Sequence, residues 1–255
     1  MKKPLILVTN DDGITAKGIA MLVEIVRPLG EVIVVAPDSP QSGQGHAITI
    51  KDPLRLQAYS QFEGITAYGC SGTPVDCVKM DNKVVLEGRK ADLCGSGINH
   101  GSNAAINILY SGTMSAAMEA SLEGIDSIGF SLLDFSHDAD FEQGRKYITK
   151  IITEVLDKGL KNCNLLNVNI PKLPESEIKG IKICRQAEAR WVENFQEGQD
   201  PMGRPYYWLT GEFQNDDTRS DNDIMALEQG YISVVPSMHD LTAYKAKESM
   251  DDWFA

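Results

Sequence analysis

The sequence predicts an α/β protein organised on a mostly parallel sheet, and three observations carry that prediction. Residues 5–9, L-I-L-V-T, make a short apolar run of the kind that forms a strand buried on both faces of a parallel sheet. A helical pattern and a second apolar run follow by residue 37, the length of a βαβ unit with a right-handed crossover. Further apolar runs at 92–98, 126–132 and 165–170 alternate with helical patterns, as the strands of such a sheet do.

The first run stops at Asn10-Asp11-Asp12-Gly13, residue types that leave a strand through unusual backbone angles, with Gly13 free to take positive φ. Two adjacent carboxylates therefore sit where an open α/β sheet places its ligands, beyond the carboxyl end of a strand. They repel one another, and each is pushed toward protonation unless a cation joins them. Asp and Asn oxygens favour a hard ion, magnesium, manganese or calcium, over zinc. Taken alone, Asp11 and Asp12 read equally well as caps of the helix that follows.

Residues 17–29 place Ile19, Leu22, Val23 and Val26 on one helix face, and Gly30 ends the pattern. The second strand, 31–37, exits through Asp38-Ser39-Pro40-Gln41-Ser42-Gly43. The two strand ends of a βαβ unit point the same way, which brings Ser42 and Gly43 toward Asp11 and Asp12. Residues 46–50 and 53–59 alternate apolar and polar side chains and are read as strands, as is 64–68. At 71–76 the run S-G-T-P-V-D opens a helix, with Thr73 as N-cap and Pro74 in the first position.

The run at 92–98 exits through Asn99-His100-Gly101-Ser102-Asn103, and Ser111-Gly112-Thr113 then opens a helix rich in small residues. A Gly- and Asn-rich loop followed by Ser-Gly-Thr at a helix N-terminus is a cradle for an anion. Ordinary turn and cap roles account for Asn103, Ser111 and Thr113 equally. After the strand at 126–132, residues 141–156 carry a helix, and 165–170 reads as the last strand of the main sheet. Beyond Pro171 the composition shifts: six of the 18 aromatic residues lie between Trp191 and Phe213, among Gly, Pro and polar residues. Such a stretch is either an arm that packs on another subunit or a hairpin folded back on its own domain. A short helix at 221–229 and a strand at 230–236 follow.

Composition narrows the function. With 42% hydrophobic and 24% charged residues over 255 positions, the chain fits one large globular domain, or one domain with an appendage. A net charge of -12 argues against a nucleic-acid polymer, whose phosphates require clustered Lys and Arg. A small phosphorylated ligand remains compatible, because a metal and backbone N–H groups supply local positive field. No stretch approaches a membrane span, and residues 1–4 lead straight into a core strand without a signal-peptide pattern, so the expected location is the cytoplasm. Five cysteines without a C-x-x-C are read as reduced thiols.

Several motifs in order now carry a resemblance: L-V-T-N-D-D-G-I, A-P-x-x-x-x-S-G, G-T-P-x-D-C-V, S-G-I-N-x-G-x-N, Y-S-G-T-x-x-A-A-x-E, and D-x-x-A-L-x-x-G-Y-x-S-V-x-P at 221–236. Together they resemble the SurE family of survival-protein nucleotidases over essentially the whole chain. The resemblance implies a Rossmann-like three-layer αβα core over 1–171, and a C-terminal extension over 172–255 whose arm joins subunits into a homodimer or homotetramer. It implies a metal-dependent phosphomonoesterase acting on nucleoside 5′- and 3′-monophosphates, in some members also on short polyphosphate. By motif, one magnesium or manganese ion per subunit falls to Asp11, Asp12, Ser42 and Asn99, with Asp11 or Asp12 as base or nucleophile. Asn10, Gly43, Asn103, Ser111, Gly112 and Thr113 are the expected phosphate and substrate contacts. Ala105, Met114, Ala120 and His100 depart from the usual family pattern, and none removes an oxygen ligand.

His46 and His100 invite a general-acid role, but neither has a partner at fixed spacing, and each is read as a loop or surface histidine. A receiver domain also presents paired acids, yet it requires an acceptor Asp after its third strand, where this chain has Asn99. A haloacid-dehalogenase phosphatase requires D-x-D, and here the acids are adjacent. The remaining alternative is a non-catalytic nucleotide-binding module whose arm assembles an oligomer.

Overall fold

The computed structural model describes residues 3–136 and 138–254. Strand β1 (Leu5–Thr9) is buried along its length, and helix α1 (Lys17–Val26) carries the chain to β2 (Glu31–Pro37), which pairs with β1 in parallel. β3 (Leu56–Ala58) and β4 (Thr66–Cys70) widen that side of the sheet, α2 (Pro74–Met80) crosses back, and β5 (Leu93–His100) enters on the other side of β1. α3 (Gly112–Leu122), β6 (Asp126–Leu132), α4 (Arg145–Lys158) and β7 (Leu165–Ile170) then step outward. The chain continues through β8 (Ile181–Ile183), the hairpin β9 (Ala189–Gln199) and β10 (Pro205–Asn215), α5 (Asp223–Glu228), β11 (Ile232–Ser237) and α6 (Tyr244–Met250).

The nine-stranded sheet has the order β3-β4-β2-β1-β5-β6-β7-β11-β8. Alternation along the strands builds two cores. Leu5 and Leu7 pack with Val35, Cys77, Val78 and Ala116 on the α2 and α3 side, whereas Ile6 and Val8 pack with Ile19, Leu22, Ile148 and Ile152 on the α1 and α4 side. The protein is thus a three-layer α/β fold with a mostly parallel sheet and a separate two-stranded hairpin. Strand order reverses at β1, because β2 lies on one side of it and β5 on the other. The crevice beyond the ends of β1 and β5 is therefore where such a sheet binds its ligand.

Four expectations change. Residues 46–50 form no strand, and Ile48 and Ile50 are exposed. The helix cap satisfies their backbone instead of a ladder: Thr49 N donates to the Asp76 carboxylate at 3.1 and 3.2 Å, and Thr73 Oγ1 donates to Ala47 O at 2.7 Å. The strand expected at 53–59 contracts to Leu56–Ala58, with Pro53 unable to donate to a neighbour. β5 runs on through Asn99 and His100, which pair with Ser131 and Leu132, so these two residues end a strand rather than start a loop. β7 is not the last strand of the sheet, since β11 adds antiparallel to it and β8 lies beyond. The aromatic stretch forms a hairpin that touches its own domain only at its base, where Trp191 bonds Asn107 and Phe213 packs against Ala105; beyond it nearly every residue of both strands is exposed.

Candidate active site

At the end of β1, Gly13 adopts φ +98°, which only glycine takes without strain, and Asn10 Nδ2 donates to Gly13 O at 2.9 Å to close the turn. Asn10 is fully buried, and its Oδ1 has no partner in the protein. Asp11 is buried as well. Its carboxylate lies against the first turn of α3, where Thr113 Oγ1 donates to Asp11 Oδ1 and a Cβ on Gly112 would stand 2.7 Å from Asp11 Cβ. Glycine at 112 lets the helix N-terminus close on the carboxylate. Ser111 caps that helix, accepting from Met114 N at 3.0 Å.

The other strand exits converge on the same crevice. Gln41 N donates to Asp11 O at 2.8 Å, which ties the loop bearing Ser42 and Gly43 to the Asp pair. Ser42 is exposed, and Gly43, at φ +74°, has open space where a side chain would stand. Asn99 Nδ2 donates to His100 O at 3.1 Å and Gly101 O at 3.0 Å, which fixes the amide and leaves Oδ1 as its free acceptor. Between Ser96 and Asn99 the β5–β6 register shifts by one residue, a bulge that re-aims Asn99. His100 N stands 3.5 Å from Asp12 Oδ2, and the His100 ring meets Phe141 edge-on at 4.9 Å.

Asn103 is placed differently from the other expected phosphate contacts. It is buried, its N–H donates to Asn169 Oδ1, its Nδ2 to Ser131 Oγ, and its carbonyl accepts from Asn167 Nδ2, all at 2.8 Å. It joins β6 and β7 to the loop, with one amide hydrogen left over. Sequence reasoning missed the partner of His46: its Nε2 stands 2.9 Å from Oε2 of the buried Glu119, which Lys79 also holds. The two residues are 73 positions apart, and no short-range signal links them.

The electrostatics ask for a cation. Burial, and then the adjacent Asp12 charge, push the Asp11 carboxyl up to about 6. Burial also raises Asp12, against the opposing pull of His100. Among the described residues no Lys or Arg acts on either carboxylate. A raised carboxyl pair, an orphaned amide oxygen at Asn10 and the oriented Oδ1 of Asn99 suit one hard divalent ion. No three His, Cys, Asp or Glu side chains converge among the described residues, so a zinc-type donor set is not offered there.

The family model described as survival protein SurE matches residues 6–193. Over 254 residues the chain is 60% identical to a 5′-nucleotidase SurE of Christiangramia forsetii, covering 99% of this chain and 97% of that one. It is 49% identical over 244 residues to a 5′-nucleotidase SurE of Bacteroides thetaiotaomicron, with 95% and 93% covered. Among solved structures, the SurE protein from Aquifex aeolicus matches with a TM-score of 0.85 at 40% identity, over 99% of this chain and 100% of that one. Motif order, fold and whole-length similarity lead to one statement: the chain belongs to the survival protein SurE family.

Proposed function

We propose that the protein is a metal-dependent 5′-nucleotidase that hydrolyses nucleoside 5′-monophosphates to nucleoside and inorganic phosphate, and takes 3′-monophosphates and short polyphosphate at the same site. The observation that carries this reading is the Asp11 carboxylate, buried against the first turn of α3 with no Lys or Arg acting on it. Asp11, Asp12, Ser42 and Asn99 would hold one magnesium or manganese ion. When bound, the ion neutralises the phosphate and lowers the pKa of water for in-line attack on phosphorus.

The chain's own groups do the remainder. Thr113 Oγ1 holds Asp11 in its ionised form through a donated hydrogen bond. The N-terminal N–H groups of α3 at Gly112 and Thr113 offer donors and positive field to a phosphate, as helix starts do. Asp12, half-buried and next to His100 N, would take a proton from attacking water, with Asp11 the alternative base or nucleophile. His46, tied to Glu119, is not free to reach a leaving oxygen without breaking that pair.

The exposed hairpin supports a dimer or tetramer, because Trp208, Tyr207 and Phe195 stand in solvent on both sides of the arm. Core 1–171 and extension 172–255 are then the catalytic and assembling parts. Five free thiols suit a reducing cytoplasm, and no helix among the described residues is long and apolar enough to cross a membrane. Phosphate release from AMP, measured with manganese and with EDTA, tests the reading. Metal-dependent release is expected; AMP binding without release in either condition supports the non-catalytic module instead.

A further inference from the structure

Beside the crevice lies a cavity of about 520 Å³ whose walls include Phe135, Trp191 and Phe213. We infer that it seats the nucleobase of the substrate, stacked on Phe135 and closed on the far side by Trp191. The inference deepens the nucleotidase reading and rests on it for the position of the phosphate.

Continuity with the site is direct. Asn99 donates to Gly101 O, and the Phe135 ring lies on Gly101, where a Cβ would stand 2.1 Å from Phe135 Cε1. Glycine at 101, with φ +94°, is what admits the ring. Ser102, the next residue, lines the cavity. A ligand whose phosphate sits at Asp11 and Asn99 therefore extends over the 101–102 backbone toward the aromatic walls.

The turn that carries Phe135 and the Trp191 side chain are both anchored by hydrogen bonds. Phe135 is 82% exposed, an unusual state for a phenylalanine on a tightly bound turn. That turn is pinned by Asp134 Oδ1, which accepts from Ser136 N at 2.9 Å, Ser136 Oγ at 2.6 Å and Lys172 Nζ at 2.9 Å. Opposite, Trp191 Nε1 donates to Asn107 Oδ1 at 2.7 Å, and its ring meets Phe213 edge-on at 5.5 Å. Aromatic planes bind any base through its π-face and do not read its edges. The volume lies in the range of small-molecule pockets. The seat accordingly distinguishes substrates with a base from those without one, more than one base from another.

The test compares AMP with ribose 5-phosphate, which carries the same sugar and phosphate and no base. In Phe135→Ala the KM for AMP rises about tenfold with kcat unchanged, the range of one stacked base, while ribose 5-phosphate kinetics stay as in the wild type. Phe135→Trp restores the AMP value. Equal shifts for both substrates, or no shift for either, overturn the seat, and so does a Phe135→Ala protein whose sedimentation changes, since Phe135 would then cover a second copy. Calorimetric titration with adenosine, which needs neither metal nor phosphate, separates this inference from the one beneath it. If the wild type releases no phosphate, the nucleotidase reading falls, and a tenfold weaker adenosine affinity in Phe135→Ala still upholds the seat; unchanged affinity removes it.

Discussion

Two buried carboxyls of this protein sit in opposite circumstances. Asp11 ends β1 in the crevice, and Asp81 follows α2 at the back of the same core layer. Burial raises both, Asp11 to about 6 and Asp81 to about 7. Around Asp11 stand a second carboxylate, a donating Thr113 and a helix N-terminus. Around Asp81 there is nothing of the kind: neither oxygen has a hydrogen-bond partner, and its charge falls on the Cys94 thiol, which burial already pushes up. Burial alone thus makes a strained carboxyl; converging oxygen donors make a site.

The largest effect that could break this contrast is Asp11→Asn. Turnover of AMP should fall at least about 1000-fold, the several kcal/mol a catalytic ion supplies, while circular dichroism stays native. Retained metal-dependent release in Asp11→Asn would put Asp11 in the same class as Asp81. Asp81→Asn should leave kcat/KM unchanged and alter the pH dependence of folding. A carboxyl whose folded pKa is raised binds more protons folded than unfolded, so stability is lost as pH climbs from about 4 to the folded value. For Asp81 that loss is complete above about 7 and amounts to up to about 4 kcal/mol. Urea unfolding at pH 5 and pH 8 should show the slope in the wild type and a flatter one in Asp81→Asn. In metal-free protein Asp11 adds a second such loss ending near pH 6, and added manganese should reverse that part alone.

Gly112→Ala sharpens the contrast from the helix side. Its methyl would press on Asp11, so α3 must shift or the carboxylate must turn. A stability loss of about 1–3 kcal/mol is expected, together with weaker manganese binding by titration calorimetry. A variant with wild-type metal affinity would show that the helix start does not shape the ion site.

Much of the crevice was legible before the fold, and the reason is local. N-D-D-G, the 38–43 exit and S-G-T each announce a strand end or helix start through their own backbone needs, and parallel βαβ topology brings such ends together. The bulge that aims Asn99 was not legible, because it depends on the register of β6. The 46–50 alternation misled, since Asp76 and Thr73 satisfy that backbone from 26 and 27 residues away. Asp81 carries no signal in the sequence: V-K-M-D-N-K gives no hint of burial, yet the fold buries the side chain completely. Phe135 likewise gains meaning only from Gly101, a neighbour through the β5 and β6 ends.

The smallest effect separates the two carboxyls most finely. Thr113→Val keeps shape and removes only the hydroxyl that donates to Asp11 Oδ1. That bond favours the ionised carboxyl, so its loss raises the Asp11 pKa further by about one unit, roughly 1.4 kcal/mol. Fewer molecules then carry the carboxylate an ion requires, and metal binding moves to higher pH. The acidic limb of the pH–rate profile should move up by about one unit at saturating substrate, with little change on the plateau above pH 8. An unmoved limb with a lowered plateau would mean that Thr113 acts on the phosphate and not through Asp11.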